Sequence, residues 1–382
     1  MLRAMASAAL AGALVLVPGP AAQADAGAVV GKVMHQLKGP EGYPTTGAHL
    51  LNNAGQVVGT AQGAQGPILN LRWEADGSFT RLADLGGLAH GTAMHAEALN
   101  DHGVIAGHAY TPDLRQHAAT WDATGAIRRL EEPADFLESA ATDINDSGVA
   151  VGYVGRYSTN RAVRWDRDGR ATFLEELPDA LRSHVYRIND NGEAIGEIAF
   201  SMYHSVGVRW DAEGKLKVLK SKDGPAGGSD INNRGTIAGV SFDPATHTYV
   251  AARALRCCDF RPMQGASPDS RIIDVNNRDV FLGSNKIDGK VETVRWDNTG
   301  GMTVLRPAPG TTDKSVYQLN DAGVAVGSSD RHAAYWDASG VGQHLPVESD
   351  IRQSYGTAIN NSGHVLGMTV DWDGIRLATV WK

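Results

Sequence analysis

Four histidines, His117, His204, His247 and His332, each fall between the second and third short apolar runs of a recurring unit. Imidazoles titrate near neutral pH and ligate metals, so four of them on one mouth could act as general bases or metal ligands. Their units are not all neighbours, and no His-x-His or His-x-x-His spacing is present. The other reading is four loop-end residues facing solvent or an adjacent unit. Trp372, flanked by Asp371 and Asp373, is the one tryptophan outside the repeated pattern. With Tyr110, Tyr157 and Tyr203 it could form a stacking platform for a sugar ring or a peptide side chain, because Tyr and Trp join an apolar face to a polar handle. A local plug over a sheet edge is the competing role.

Cys257 and Cys258 are the two cysteines of the chain and stand side by side. Neighbouring Cα atoms lie about 3.8 Å apart, below the usual disulfide range, so a bond between them forms a strained ring. An oxidising compartment makes this vicinal disulfide one expectation. Two thiols filling the space of a missing Trp is the other. The run Asp143-Ile144-Asn145-Asp146-Ser147-Gly148 has the look of a calcium loop, but no Glu follows at the required distance. A turn whose Asn and Asp side chains bond the backbone explains it better. No G-x-S-x-G, P-loop or zinc motif occurs. No metal and no cofactor is expected.

The elements that must position these residues come from a repeat. An Asn-Asn/Asp-x-Gly turn, or a close variant, recurs at Asn52, Asn100, Asn145, Asn189, Asn232, Asn276, Asn320 and Asn360. A Trp follows at a similar offset in seven copies: Trp73, Trp121, Trp165, Trp210, Trp296, Trp336 and Trp381; the fifth has Cys257 near that place. Periods of 20–50 residues signal solenoids, propellers or arrays. Each copy reads as four short strands separated by Asn/Asp/Gly turns. One such sheet is too small to stand alone, and radial stacking leaves only short, protected edges. The eighth copy lacks a fourth strand, which the segment Ala28 to Leu37 offers. The expected fold is all-β: a propeller of eight four-stranded blades, closed by the N-terminal strand completing the last blade.

Arg3, the apolar run Ala8 to Val17 and the Ala22-Gln23-Ala24 site resemble a secretory signal peptide, so residues 1–24 are expected to be removed and 25–382 to form a single domain. The run is too short to span a bilayer. Losing Arg3 moves the formal net charge from −8 to −9. A mildly acidic, mixed-charge surface argues against nucleic acid as a partner.

Gln116-His117-Ala118-Ala119-Thr120-Trp121-Asp122 and Arg331-His332-Ala333-Ala334-Tyr335-Trp336-Asp337 resemble the His-Ala-Phe-x-Trp segment of the HAF repeat family. Leu82 to Leu88 is similar to its Asp-Leu-Gly-Thr-Leu-Gly-Gly element, and Ala141 to Gly148 to its Ala-Ile-Asn-Asp-x-Gly turn. The resemblance implies an extracellular bacterial repeat protein with a propeller-like fold, and carries over no catalytic residue.

Strand alternation puts both compact turns of each copy on one rim and the variable connections on the other, where recognition loops are usually carried. The expected function is therefore a secreted module binding a glycan, peptide or cell-surface protein through the variable rim. The alternative is an extracellular hydrolase or lyase with a histidine-centred site at the channel mouth.

Overall fold

The computed structural model describes residues 31–64, 66–87, 93–156 and 159–382. The leader expected at 1–24 and the candidate Tyr157 lie outside them. Among the described residues every regular element is a strand. Seven sheets have four strands each, in a β-propeller arrangement. The third repeat shows the pattern: Glu138–Ile144, Ala150–Arg156, Thr159–Trp165 and Ala171–Phe173 pair in sequence order, all antiparallel. Side chains alternate between the two sheet faces, so Val163 and Trp165 share one face and pack with Leu130, Ile144 and Val154.

The repeated Asn ties consecutive sheets together. In all eight copies its Oδ1 accepts the N–H four residues on, at 2.8–3.1 Å, which fixes its own turn. Its Nδ2 donates to the carbonyl of the next copy's Asn, from Asn52 to Asn100 and onward to Asn360. Asn360 Nδ2 then donates to the Asn52 carbonyl at 2.9 Å. The following residue repeats the cycle: its backbone N–H donates to the side-chain oxygen of its counterpart one copy on, and Asn361 returns to Asn53 at 2.8 Å. All eight Asn residues of the first cycle are buried. Buried amide groups are costly when unpaired, so one residue type recurs where both its donor and its acceptor are used.

The seven Trp residues are fully buried, each Nε1 donating to a backbone carbonyl of the connection that enters its own sheet, at 2.7–3.2 Å. The Arg before Trp spans to the next copy: Arg72 donates to the carbonyls of Gly103, Asp122 and Ala123, and Arg295 to those of Gly323, Asp337 and Ala338.

The fifth repeat departs from the four strands expected of it. Lys220–Ser221 pairs antiparallel with Gly224–Ile231 and parallel with Asp259–Pro262, so five strands close into a small barrel. The register corrects a second expectation. Ala254, not Cys257, pairs with Ile237 where other copies place Trp. Cys258 and Phe260 fill the vacated volume, packed with Ile195, Leu219 and Ala254.

At the other end of the chain Met34–Leu37 pairs with Ala378–Trp381. Val33 and Lys382 exchange two backbone hydrogen bonds, and the Thr46 hydroxyl donates to the Leu37 carbonyl at 2.7 Å. No helix of the described residues is long and apolar enough to cross a membrane.

Candidate functional site

The turn rim holds a polar cavity of about 290 Å³, lined by the Asn turns, whose side chains are engaged in the two hydrogen-bond cycles, and by Asp230, Asp274 and Gln318, each of which accepts a backbone N–H. The other rim, where each first strand begins and each second strand ends, is built differently.

Each first strand carries an extra residue that shifts its register: Glu97 between Ala96 and Ala98, and Tyr186 between Val185 and Arg187. Bulges of this kind re-aim side chains. Two residues before each of these stands a histidine, His95 and His184. His95 pairs across the sheet with His108 and stacks on it at 5.0 Å between ring centroids. Tyr110 meets the edge of His108 at 5.5 Å, its hydroxyl 3.4 Å from Nε2. On the other side of His108, Glu97 Oε1 lies 3.8 Å from Nδ1. In the next copy Tyr153 accepts from Gln116 Nε2 at 3.1 Å and lies 5.4 Å from the His184 ring. His184 pairs across its sheet with Glu197, to which the Tyr186 phenol is hydrogen-bonded.

The contacts lead into a cleft of about 350 Å³ between the fourth and fifth repeats. Tyr186, Glu197, Tyr249 and Arg271 line it, and Gly196, Gly207, Gly227, Gly228 and Gly239 leave its walls as bare backbone. A Cβ added at Gly227 would meet nothing within 4 Å, so the missing side chain is itself open space.

Burial, then the neighbouring His95, depresses His108 to about 4. Burial lowers His184 as well, against the pull of Glu197. Tyr110 is raised by burial, then by Tyr153, Glu138 and Glu97. Tyr186 is raised by burial and by Glu197. At neutral pH these imidazoles are uncharged and these phenols protonated. They form a band of neutral donors, acceptors and ring faces, punctuated by carboxylates.

The sequence-predicted residues scatter, and among the described residues no group of three or more His, Cys, Asp or Glu side chains is placed to hold a metal. His117 is buried, its Nδ1 2.7 Å from Glu132 Oε1. Burial would raise the Glu132 carboxyl, but hydrogen bonds from Ser139, His117 and Arg129 hold it below the usual range. The group is a clamp between sheets. His204 is exposed and stacks on Phe200, and His247, at a φ of 56°, meets the edge of Phe242. His332 lies 5.3 Å from His344. Trp372, 68% exposed, tops the turn closed by Asp371, and Tyr203, 95% exposed, stands at a hairpin tip beside Met202. Of the candidates among the described residues, Tyr110 joins the band. Cys257 is half-buried and Cys258 buried, both free thiols.

His95, Glu97, His108, Tyr153, His184, Tyr186, Glu197 and Arg271 were missed because they sit inside strands. One signal was available: polar or aromatic residues five and three positions before the repeated Asn break the apolar pattern, as His95 and Glu97 do before Asn100, and His184 and Tyr186 before Asn189.

No protein-family model matches the chain, and no curated protein sequence does. Solved structures do. One of two prolyl endopeptidases is similar at a TM-score of 0.55 and 13% identity, over 87% of this chain and 54% of that one. Porphyromonas gingivalis dipeptidyl peptidase 4 gives 0.52 and 10%, over 88% and 59%. The β-propeller domain of the Trilobed protease from Pyrococcus furiosus gives 0.49 and 11%, over 81% and 98%. This chain thus spans little more than half of each of the first two. At such identities the likeness shows the fold alone, a β-propeller.

Proposed function

We propose that this chain is an exported propeller module that binds a hydroxyl-rich ligand, a carbohydrate before a peptide or a surface protein, at the rim opposite the Asn turns. The observation that carries this reading is the band of imidazoles and phenols on this rim, His95, His108 and Tyr110 in one group and Tyr153 and His184 in the next, leading to Tyr186 and the glycine-walled cleft. Aromatic faces stack on sugar rings, and phenols, imidazoles and carboxylates exchange hydrogen bonds with hydroxyls. In this reading residues 1–24 are a leader, 25–382 form one domain of HAF-type repeats, and the scaffold is a ring of eight blades, the fifth irregular, closed by Met34–Leu37. The two hydrogen-bond cycles that return from Asn360 and Asn361 to Asn52 and Asn53 support that ring.

A glycan array probed with residues 25–382, followed by calorimetric titration of any hit, tests the binding. His184→Ala and Tyr186→Phe should each weaken a hit by at least about fivefold. A hit whose affinity ignores both variants places the site elsewhere and removes the reading.

A hydrolase or lyase is the second reading, favoured by one feature. The neutral His108, stacked on His95 beside Glu97 and Tyr110, holds an unprotonated nitrogen at neutral pH, the state in which an imidazole can accept a proton. It moves the histidine-centred site from the loop histidines to this pair. Turnover that survives His108→Ala and His95→Ala would eliminate it.

A further inference from the structure

In regular repeats the connection that enters a sheet folds over its end and covers the residue nine positions after the repeated Asn. Residues 130–137 and 174–181 do so with apolar side chains. Phe136 packs in the cluster of Val154, and Leu177 and Ala180 in that of Ile198. In the sixth copy the position is Asn285, which accepts from Ser267 and donates to the Gly265 carbonyl. In the seventh it is Ser329, bonded to Ala308, Thr311 and Asp313.

The fifth repeat breaks this rule. Its connection has only the five residues 219–223, and they turn into the Lys220–Ser221 strand instead of covering the sheet end. The residue left beneath is Ser241, 1% exposed, and its Oγ has no hydrogen-bond partner among the described residues. It lies at a cavity of about 1010 Å³ that opens to solvent beside the barrel strands, with Phe242, Val250, Phe260 and Pro262 among its walls. Buried hydroxyls are normally satisfied. An orphan hydroxyl beside an unfilled volume of this size is the mark of a site completed by a ligand.

We propose that the fifth repeat holds a binding site for a small amphiphile with an apolar body and one hydrogen-bond-accepting polar group. The body fills the space the missing plug leaves, and the Ser241 hydroxyl donates to the ligand's polar group. Charges of both signs rim the cavity: Lys220, Lys222 and Arg261 stand with Asp223, Asp243 and Asp259, of which Asp243 is held within its own turn by Ala245 N–H and Thr246 Oγ1 and Asp259 lies 4.0 Å from Lys220. The site is separate from the rim band and stands or falls independently of it.

Fluorescence titration with anilinonaphthalene sulfonate, whose fused rings carry a single sulfonate, tests this on residues 25–382. Saturable one-to-one binding is expected, with phenylnaphthylamine, the same body without the sulfonate oxygens that would accept from Ser241, several-fold weaker. Ser241→Ala should weaken the sulfonate probe by about 2- to 10-fold. Val250→Trp, which fills the cavity, should abolish binding, and His184→Ala should leave it unchanged. Melting temperature is read for each variant, and Ala266→Phe replaces Val250→Trp if that protein does not fold. Unsaturable binding, or full affinity in a folded cavity-filled variant, overturns the proposal.

Discussion

Replacing Asn320 by Asp changes one atom of the hydrogen-bond cycle and leaves its shape intact. The Asp keeps Oδ1, which accepts the Val324 N–H at 3.1 Å. It puts an oxygen where Nδ2 now donates to the Asn360 carbonyl at 3.1 Å. Asn320 is 3% and Asn360 4% exposed, so water cannot replace the lost donor. The bond itself contributes about 1 kcal/mol, and a buried carbonyl left unpaired costs about 1–3 kcal/mol more. The variant should therefore lose about 2–4 kcal/mol at pH 7. Burial opposite a carbonyl favours the neutral acid, which raises the folded-state pKa of the new carboxyl above the unfolded value of about 4. The folded state then holds the proton more tightly. Stability relative to wild type is nearly recovered below about pH 4 and is lost as pH rises through the raised value. Protonation also restores an O–H donor to the Asn360 carbonyl. Urea unfolding of wild type, Asn320→Asp and Asn320→Ala at pH 4 and pH 7 measures this, with m-values checked for constancy. The Asp penalty should shrink in acid while the Ala penalty does not. An Asp variant as stable as wild type at pH 7, or one whose deficit ignores pH, refutes the reasoning.

Other outcomes follow from the same geometry. Removing residues 1–37 deletes the Met34–Leu37 pairing and the acceptor of the Thr46 hydroxyl; the shortened chain should melt well below one beginning at residue 25, and equal melting temperatures would contradict closure by that strand. His108, depressed to about 4 by burial and then by His95, takes its proton in the unfolded chain first. Its contribution is intact above about pH 6.5 and falls away toward pH 4, by on the order of 2–3 kcal/mol, so His108→Gln should flatten the acid limb of the pH–stability curve. A vicinal disulfide at Cys257–Cys258 should shift the intact mass of the exported protein by two hydrogens on reduction; an unchanged mass establishes two thiols packed in the space opposite Ile237.

What the sequence determined by itself was whatever a period can encode. The repeated Asn, Gly and Trp each answer a local demand that recurs identically: a turn with a satisfied amide, a positive φ such as the 80° of Gly148, and a large side chain to fill each sheet interface. Such demands are set by neighbours close in sequence or one period away, so they are legible in spacing. The division into a compact-turn rim and a variable rim followed from strand alternation alone.

Tertiary structure decided the rest. His95 and His108 meet as cross-strand partners of one sheet, Tyr153 and His184 because consecutive sheets converge, and nothing in their spacing fixes the bulges at Glu97 and Tyr186 that aim neighbouring side chains. His117 was prominent in the sequence and is a buried clamp to Glu132, because a ring near a strand start points wherever the adjacent sheet lets it pack. The fifth repeat shows the limit most plainly. Losing one Trp and about three connection residues rearranged four strands into five, moved Ala254 into register opposite Ile237, and left Ser241 without a partner among the described residues. Cavities and unsatisfied groups are properties of packing, set by what fails to arrive from elsewhere in the chain.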